Sequence, residues 1–241
     1  MKHLITRLIR LRNTTFSLDN NVTSYMLIYF FFLQCVSFLR GLKVAILLKP
    51  PRFMLRGKRV EFKYLNNIYW GRFLKLGNDV TLNGLSVNGI SLGENVSIGS
   101  FSQIIASTTL NNIGNGVTVK NNAGIGEYAY LGGAGGLKIG ANCIIGQYFS
   151  CHPENHNFSH LDDLIKNQGV SRKGITIGPN CWIGSKVSIL DGVEIGEGSV
   201  IAAGSLVTKS FGARSVIAGV PAKLIKKRTE CLKRNFYILL N

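Results

Sequence analysis

The segment that decides the fold spans residues 177–207 and reads IGPNCW IGSKVS ILDGVE IGEGSV IAAGSL V. An aliphatic residue occupies every sixth position, namely Ile177, Ile183, Ile189, Ile195, Ile201 and Val207. On a helix, residues six apart point in different directions, whereas in strands an even spacing keeps them on one face. The repeat therefore predicts a parallel β-helix, in which each hexapeptide forms a short strand and a bend and successive coils stack.

The same repeat occurs upstream, with breaks between groups of coils. Aliphatic-glycine pairs are found at Leu92-Gly93, Ile98-Gly99, Ile113-Gly114, Ile125-Gly126, Leu131-Gly132, Ile139-Gly140 and Ile145-Gly146. Asparagines that suit left-handed corners accompany them, at Asn95, Asn115, Asn121, Asn142 and Asn180. Each break predicts a loop or a widened bend. We predict an all-β fold in which the β-helix occupies residues 76–210.

Composition fits one elongated domain with terminal extensions. The chain has 241 residues, 46% of them hydrophobic, which is enough for a continuous core. Its cysteines are odd in number and lack a metal-type spacing, at Cys35, Cys143, Cys151, Cys181 and Cys231. This pattern favours reduced thiols in an intracellular protein. The first 21 residues lack the short apolar core of a signal peptide, so none is expected.

Positive charge is concentrated before the repeats. The formal net charge is +16, and residues 1–75 hold fourteen Lys or Arg against Asp19 and Glu61. The uncharged run Val22–Leu39 lies among these basic residues, with Arg7, Arg10 and Arg12 on one side and Arg40, Lys43, Lys49 and Arg52 on the other. We predict a helical extension over residues 1–60 that contacts an anionic membrane surface through residues 1–49.

Two other interpretations of this run stay open. The helix could cap the open end of the β-helix, or it could span the membrane, although polar residues such as Gln34 and Ser37 make a span marginal. No nucleic-acid recognition motif accompanies the basic residues, so nucleic acid is not expected as a partner.

The longest break in the repeat covers residues 147–174 and reads QYFSCHPENHNFSHLDDLIKNQGVSRKG. Its length is typical of a functional loop, and it contains His152, His156 and His160, which can exchange protons near neutral pH. A zinc site is the alternative, because these histidines are spaced four apart. Pro153 and the neighbouring asparagines oppose the helix that would align them, so no metal is expected. Cys151 is not expected to be a nucleophile.

Five segments carry a resemblance to a known family. They are HPENHNF at 152–158, QGVSRKG at 168–174, IGPNCWIGS at 177–185, AGSLVTK at 203–209 and AGVPAK at 218–223. Together they resemble the hexapeptide-repeat acyltransferases, and most of all the O-acetyltransferases of bacterial surface-polysaccharide synthesis, with maltose and galactoside acetyltransferases as wider relatives. The resemblance implies a left-handed β-helix, a cytoplasmic homotrimer, acetyl-coenzyme A bound between adjacent subunits and a saccharide acceptor.

The resemblance also implies roles for individual residues. By this resemblance His156 is expected to be the general base for the acceptor hydroxyl, which would attack the thioester directly. His152 is the second candidate and His160 the third. Coenzyme A is expected at Trp182, Ser185, Ala203, Thr208, Lys209, Lys223 and Lys226. Small side chains let the pantetheine arm approach the backbone, and lysines neutralise phosphate charge. Residues 211–241 are predicted to be a basic tail.

Other function classes stay open beside the O-acetyltransferase. One is a non-catalytic trimeric scaffold; an N-acyltransferase and a metal-dependent hydratase are less favoured. A scaffold needs neither a histidine in the long loop nor the Trp182-Ile-Gly-Ser185 segment downstream. These features favour an enzyme.

Overall fold

The computed structural model describes residues 17–228. Its chain winds into a three-sided prism in which each coil contributes one short strand to each of three sheets. The sheets contain nine, seven and six strands, and neighbouring coils pair in parallel. The predicted left-handed parallel β-helix is confirmed.

Strands are numbered in chain order. The first sheet contains β1 (Leu55–Arg56), β4 (Lys75–Leu76), β7 (Ser97–Ile98), β10 (Gly124–Ile125), β13 (Ile144–Ile145), β18 (Trp182–Ile183), β21 (Val200–Ile201), β23 (Ser215–Gly219) and β24 (Ala222–Lys227). The second contains β2 (Glu61–Lys63), β5 (Thr81–Asn83), β8 (Gln103–Ile105), β11 (Tyr130–Gly132), β14 (Ser150–His152), β19 (Ser188–Leu190) and β22 (Leu206–Val207). The third contains β3 (Ile68–Trp70), β6 (Ile90–Leu92), β9 (Val117–Val119), β12 (Leu137–Ile139), β17 (Ile175–Ile177) and β20 (Glu194–Ile195).

Outside the prism, β15 (Asn155–His156) and β16 (Val170–Ser171) pair antiparallel. The helix α1 covers Ser24–Leu42, and 3-10 turns cover Lys43–Leu47, Leu65–Asn67 and Ile165–Asn167. Each coil passes from the first sheet to the second and then to the third. We name the bends after the first, second and third sheets the first, second and third corners.

The residues of the hexapeptide repeat form the core of the prism. All six aliphatic positions between Ile177 and Val207 are at most 2% exposed. Burial of one such side chain contributes about 1.5–3 kcal/mol, so the repeat is also the main source of stability in the last coils. Asn95, Asn142 and Asn180 occupy left-handed corners as expected, whereas Asn122 takes the role predicted for Asn121.

The structure corrects three predictions about where the coils lie. They begin at Leu55 rather than at residue 76, because inward residues such as Met54 and Val60 continue the core without the aliphatic-glycine signal. The predicted basic tail contains β23 and β24, which extend the first sheet. The Ile113-Gly114 pair does not form part of a coil. Ile113 is exposed in a loop, because the chain leaves the prism between β8 and β9.

The helix predicted over the apolar run forms, and its two ends differ in environment. At the C-terminal end, Gly41 packs on Met54 and Val44 is fully buried, which closes the first coil. Most of the remaining apolar side chains are exposed, among them Ile28, Phe30 and Phe32. The helical stretch Ser24–Leu47 is long and apolar enough to cross a membrane by length and composition, with a mean hydropathy of 1.7. Arg7, Arg10 and Arg12 lie outside the described residues.

Candidate active site

The chain leaves the prism twice at the second corner, and a cleft lies between the two excursions. Residues 106–116 form the first, which we name the front loop, and residues 153–174 form the second, the histidine loop. The cleft has a volume of about 660 Å³. It contains the predicted catalytic residues His152 and His156, together with Lys166 and Arg172. The sequence singled out the histidine loop, whereas for the front loop that faces it the repeat predicted only a break before Ile113.

A run of small residues brings the histidine loop close to the prism. The sequence Gly132-Gly-Ala-Gly-Gly136 follows β11, one coil before the loop begins. A Cβ atom at Gly135 would stand 2.3 Å from the Pro153 carbonyl oxygen, and one at Gly132 would stand 2.7 Å from that of Cys151. Glycine is therefore required where the chain that carries His152 passes over the previous coil.

The two candidate bases are held by different elements. His152 ends β14, and its ring stacks on that of Tyr130 with centroids 5.6 Å apart. His156 ends β15 and is paired through the sheet with Val170. Both histidines are exposed in the single chain. His160 does not line the cleft: its backbone hydrogen bonds with the Gln168 side chain instead, which ties the tip of the loop together.

Burial favours the neutral form of two titratable groups near the histidines, Tyr130 and Cys151. Burial and the nearby Glu154 charge raise the pKa of Tyr130, so its phenol keeps its proton at neutral pH. Burial also raises the pKa of Cys151, whose thiol points into the core. Cys151 is therefore unsuited to nucleophilic catalysis, because the thiolate is the reactive form. Among the described residues, no group of three His, Cys, Asp or Glu side chains is arranged to hold a metal ion.

A second cavity lies on the outer side of the last coils, at the first sheet and the first corner. It has a volume of about 560 Å³ and contains Trp182, Ser185, Ala203 and Lys226, four of the residues predicted to bind coenzyme A. Its floor follows the register of the sheet, in which Trp182 is paired with Val200, and Val200 with Val216. We name this cavity the apolar groove, because outward-facing apolar side chains make up most of its floor.

Glycines at the first corner let successive coils stack closely beside the apolar groove. A Cβ atom at Gly184 would stand 2.5 Å from the backbone nitrogen of Ala203, and one at Gly146 would stand 2.6 Å from that of Ser185. Glycine is therefore required at these corners, where one coil stacks closely on the backbone of the next. The Ser185 hydroxyl also donates to Gln147 Oε1 at 2.9 Å.

The other three residues predicted for coenzyme A lie outside the groove of the single chain. Thr208 and Lys209 follow β22 at the second corner, and Lys209 Nζ lies 5.9 Å from the centre of the Phe211 ring. Lys223 lies on β24, opposite Ala218. The structure therefore brings together four of the seven predicted residues and leaves three at the edges of the last coils.

Comparison with known proteins agrees with this architecture. Residues 174–209 match the family model described as bacterial transferase hexapeptide (six repeats). WbbJ of Escherichia coli K12, whose name assigns it an O-acetyl transferase step of lipopolysaccharide biosynthesis, is 31% identical over 146 residues, which cover 57% of this chain and 71% of WbbJ. The chain belongs to the hexapeptide-repeat transferase family.

Other relatives match over shorter stretches. The galactoside O-acetyltransferase of Escherichia coli K12 is 40% identical over 101 residues, 42% of this chain and 49% of that protein. Proteins of Staphylococcus aureus that are named as acetyltransferases are 46% identical over 83 residues, and the chain spans only 38% of their length. A solved structure of an AntD mutant, an N-acyltransferase from Bacillus cereus, has a TM-score of 0.54 at 22% identity, covering 72% of this chain and 86% of that one. This likeness concerns the fold.

Proposed function

We propose that this chain is an acetyl-coenzyme A-dependent O-acetyltransferase that acts on a saccharide hydroxyl in cell-surface polysaccharide synthesis. The observation that carries the proposal is the pair of cavities. One contains the two histidines beside polar side chains, and the other contains Trp182, Ser185, Ala203 and Lys226. The name of WbbJ supports the polysaccharide context.

In the proposed reaction, His156 accepts the proton of the acceptor hydroxyl while the hydroxyl oxygen attacks the acetyl carbonyl carbon. The carbon-sulfur bond breaks, and the coenzyme leaves as a thiol that takes up the proton. A sugar hydroxyl is a poor nucleophile until its proton is removed, and a positioned base contributes about 10²–10⁴-fold. The front loop adds hydroxyl groups from Thr108 and Thr109 and the side-chain amide of Asn111, which suit a hydroxyl-rich acceptor.

The donor is proposed to lie in the apolar groove. Its pantetheine arm contacts the backbone near Ser185 and Ala203, beside the half-exposed ring of Trp182. Lys226, with Lys209 and Lys223 at the edges of the last coils, neutralises phosphate charge.

The positions of the two cavities support a trimer with shared active sites. The histidine cleft opens at the second corner, whereas the apolar groove lies at the first corner. Their linings have no residue in common. A single chain therefore keeps its base away from its donor groove, and a threefold arrangement can bring the cleft of one subunit to the groove of the next.

A thiol-release assay tests the activity. The purified chain is given acetyl-coenzyme A and a panel of neutral, acidic and amino sugars and glycan intermediates. We expect free thiol together with an O-acetyl ester that mild alkali removes. An alkali-stable amide formed on amino sugars alone would instead identify an N-acyltransferase. Coenzyme binding without transfer to any acceptor would favour a scaffold.

We propose further that α1 holds the enzyme at the inner face of the membrane. Its middle is apolar on several sides, a pattern typical of helices buried in lipid or in protein. Only 11% of the most apolar window is buried within the chain. Packing on the first coil involves the last part of the helix, from Phe38, whose ring stacks on that of Phe53, to Val44 just beyond its end. This packing does not account for the exposed aromatic residues earlier in the helix.

Membrane binding is expected to depend on these aromatic residues. Phe30→Ser combined with Phe32→Ser should lower binding to anionic liposomes by at least about tenfold, because each change removes a large apolar side chain from the lipid. Co-sedimentation with liposomes measures this. Transfer to a soluble acceptor should not change, since both cavities lie in later coils.

Two controls sharpen the membrane experiment. Removing residues 1–37 keeps Phe38, Gly41 and Val44, so the first coil stays closed and the truncated protein should remain soluble. High salt should weaken binding if the basic residues contribute, because screening shortens to about 3 Å at 1 M. Resistance to both salt and alkaline wash would identify a spanning helix, and an absence of binding by the full chain would contradict the proposal.

A further inference from the structure

One arginine joins the two excursions that enclose the histidine cleft. Arg172 follows β16, at the base of the hairpin that carries His156. Its guanidinium contacts Glu154 on the opposite side of that hairpin and Asn112 in the front loop, a residue sixty positions earlier in the chain. Arg172 thus lies where the two walls of the cleft meet.

The contacts use the planar shape of the guanidinium group. Nε and Nη2 each lie 2.6 Å from Glu154 Oε2. Nη1 donates to Asn112 Oδ1 at 2.7 Å and to the Ile113 carbonyl at 3.1 Å, and Nη2 donates to the Asn112 carbonyl at 3.3 Å. The side chains of Arg172 and Glu154 are only 21% and 28% exposed. A lysine has one ammonium group and cannot reproduce this set of directions.

The base of the hairpin is attached to the prism through Asp191, whose carboxylate accepts from the Lys173 and Gly174 backbone amides. In the described part of the chain, the hydrogen bonds that join the hairpin to the front loop come from Arg172. The two strands of the hairpin contain two residues each, and β15 pairs with no strand of the prism. The front loop also lies outside the sheets. Two short segments without a sheet between them need a specific link to keep a fixed separation. Partly buried charge-assisted hydrogen bonds provide such a link better than exposed ones do.

We infer that Arg172 is a positioning residue of the acceptor site: it fastens the front loop to the histidine hairpin and so sets the width of the cleft and the place of His156. The expected effect of Arg172 on catalysis rests on the proposed function. Its attachment of the front loop to the hairpin does not. Arg172 touches no reacting atom in this role. It acts through the Glu154 and Asn112 contacts, on acceptor binding and on the alignment of the base.

The kinetic test compares Arg172→Ala and Arg172→Lys with Lys173→Ala, which removes the same charge from the neighbouring exposed residue. Both Arg172 variants should lose about 10²-fold in kcat/KM for the acceptor, because displacement of a reacting group by about 1 Å has an effect of that size. The KM for acetyl-coenzyme A should stay within about twofold, since Arg172 does not line the apolar groove that is proposed to hold the coenzyme. Lys173→Ala should match the wild type.

Asn112→Ala tests the link itself. If Arg172 acts by holding Asn112, adding Asn112→Ala to Arg172→Ala should cause little further loss, because both changes break the same contact. If the fold-loss in kcat/KM of the double variant equalled the product of the two single losses, the inference would be overturned. The inference would also be overturned if kcat/KM fell equally for the acceptor and for acetyl-coenzyme A, in proportion to a loss of folded protein.

Hydrogen exchange gives a readout that needs no activity. In Arg172→Ala, backbone amides of the front loop should exchange at least about tenfold faster, although the substitution lies far away in sequence. Amides of the first coil, at residues 55–63, should be unchanged. Unaltered exchange in the front loop would overturn the inference whatever the enzyme proves to do. If the wild type transfers no acyl group but the loop loosens, the proposed function fails and the positioning role stands.

Discussion

His156→Ala is expected to lower acetyl transfer by at least about 10²-fold while leaving assembly and coenzyme binding intact. The substitution removes the proposed base and little else, because His156 is exposed and its backbone pairing with Val170 does not depend on the side chain. Steady-state thiol release with a saturating acceptor measures the loss. Binding of acetyl-coenzyme A, measured by calorimetry, should not change.

Two other histidines provide matched comparisons. His160→Ala changes a residue of the same loop that does not line the cleft, and near wild-type turnover is expected. His152→Ala should have a smaller effect than His156→Ala, through loss of the stacked pair with Tyr130. The reverse order, with His156→Ala close to wild type and His152→Ala inactive, would move the catalytic role to His152.

Complementation between two inactive variants should restore activity if active sites are shared. Ala203→Trp fills the apolar groove with a large side chain, and His156→Ala removes the base, so each variant alone should transfer at most about 1% as fast as wild type. Co-expression mixes the subunits. In a cyclic trimer, a site needs its base from one variant and its groove from the other, so roughly a quarter of the sites should regain function.

Sedimentation and subunit tags make this experiment decisive. The co-expressed protein should sediment as a trimer and contain both tags. Separately purified variants mixed without subunit exchange should stay inactive, which serves as the control. No recovery in a verified mixed trimer would contradict shared sites, and an active wild-type monomer would contradict the trimer as well.

The fold could be predicted from the sequence because its main determinant is local and periodic. Six aliphatic residues at a fixed spacing between Ile177 and Val207 determine which side of each strand faces the core, and all six side chains are buried there. The first coils give a weaker signal. There Phe53 and Phe73 occupy left-handed corner positions with stacked rings, and Arg59 pairs with Asp79 between coils, so side-chain ladders replace the glycine signal.

The site was predictable in part, for a related reason. The histidine loop interrupts a regular pattern, and its length and histidine content mark it in the sequence. The front loop is shorter, and its Ile113-Gly114 pair matches the aliphatic-glycine pattern of a coil. For that reason the sequence did not indicate that a loop forms the second wall of the cleft. The hydrogen bond between Arg172 and Asn112 joins residues sixty positions apart, which only the stacking of coils brings together. The sequence therefore could not indicate this contact. The Gly132–Gly136 run was a usable signal, since consecutive glycines indicate close backbone approach.

The way the coil stack ends also bears on how the protein behaves in solution. A parallel β-helix exposes unpaired backbone groups at its last coil, and a second molecule could add there and extend the stack into a fibre. The chain instead reverses direction into β24, so that within residues 17–228 the outermost strand of the first sheet carries Lys223, Lys226 and Lys227. Like charges on two such edges repel. We therefore expect the lysines proposed to attract coenzyme phosphate to hinder end-to-end polymerisation as well, and charge-removing variants of this strand should be compared only as soluble trimers.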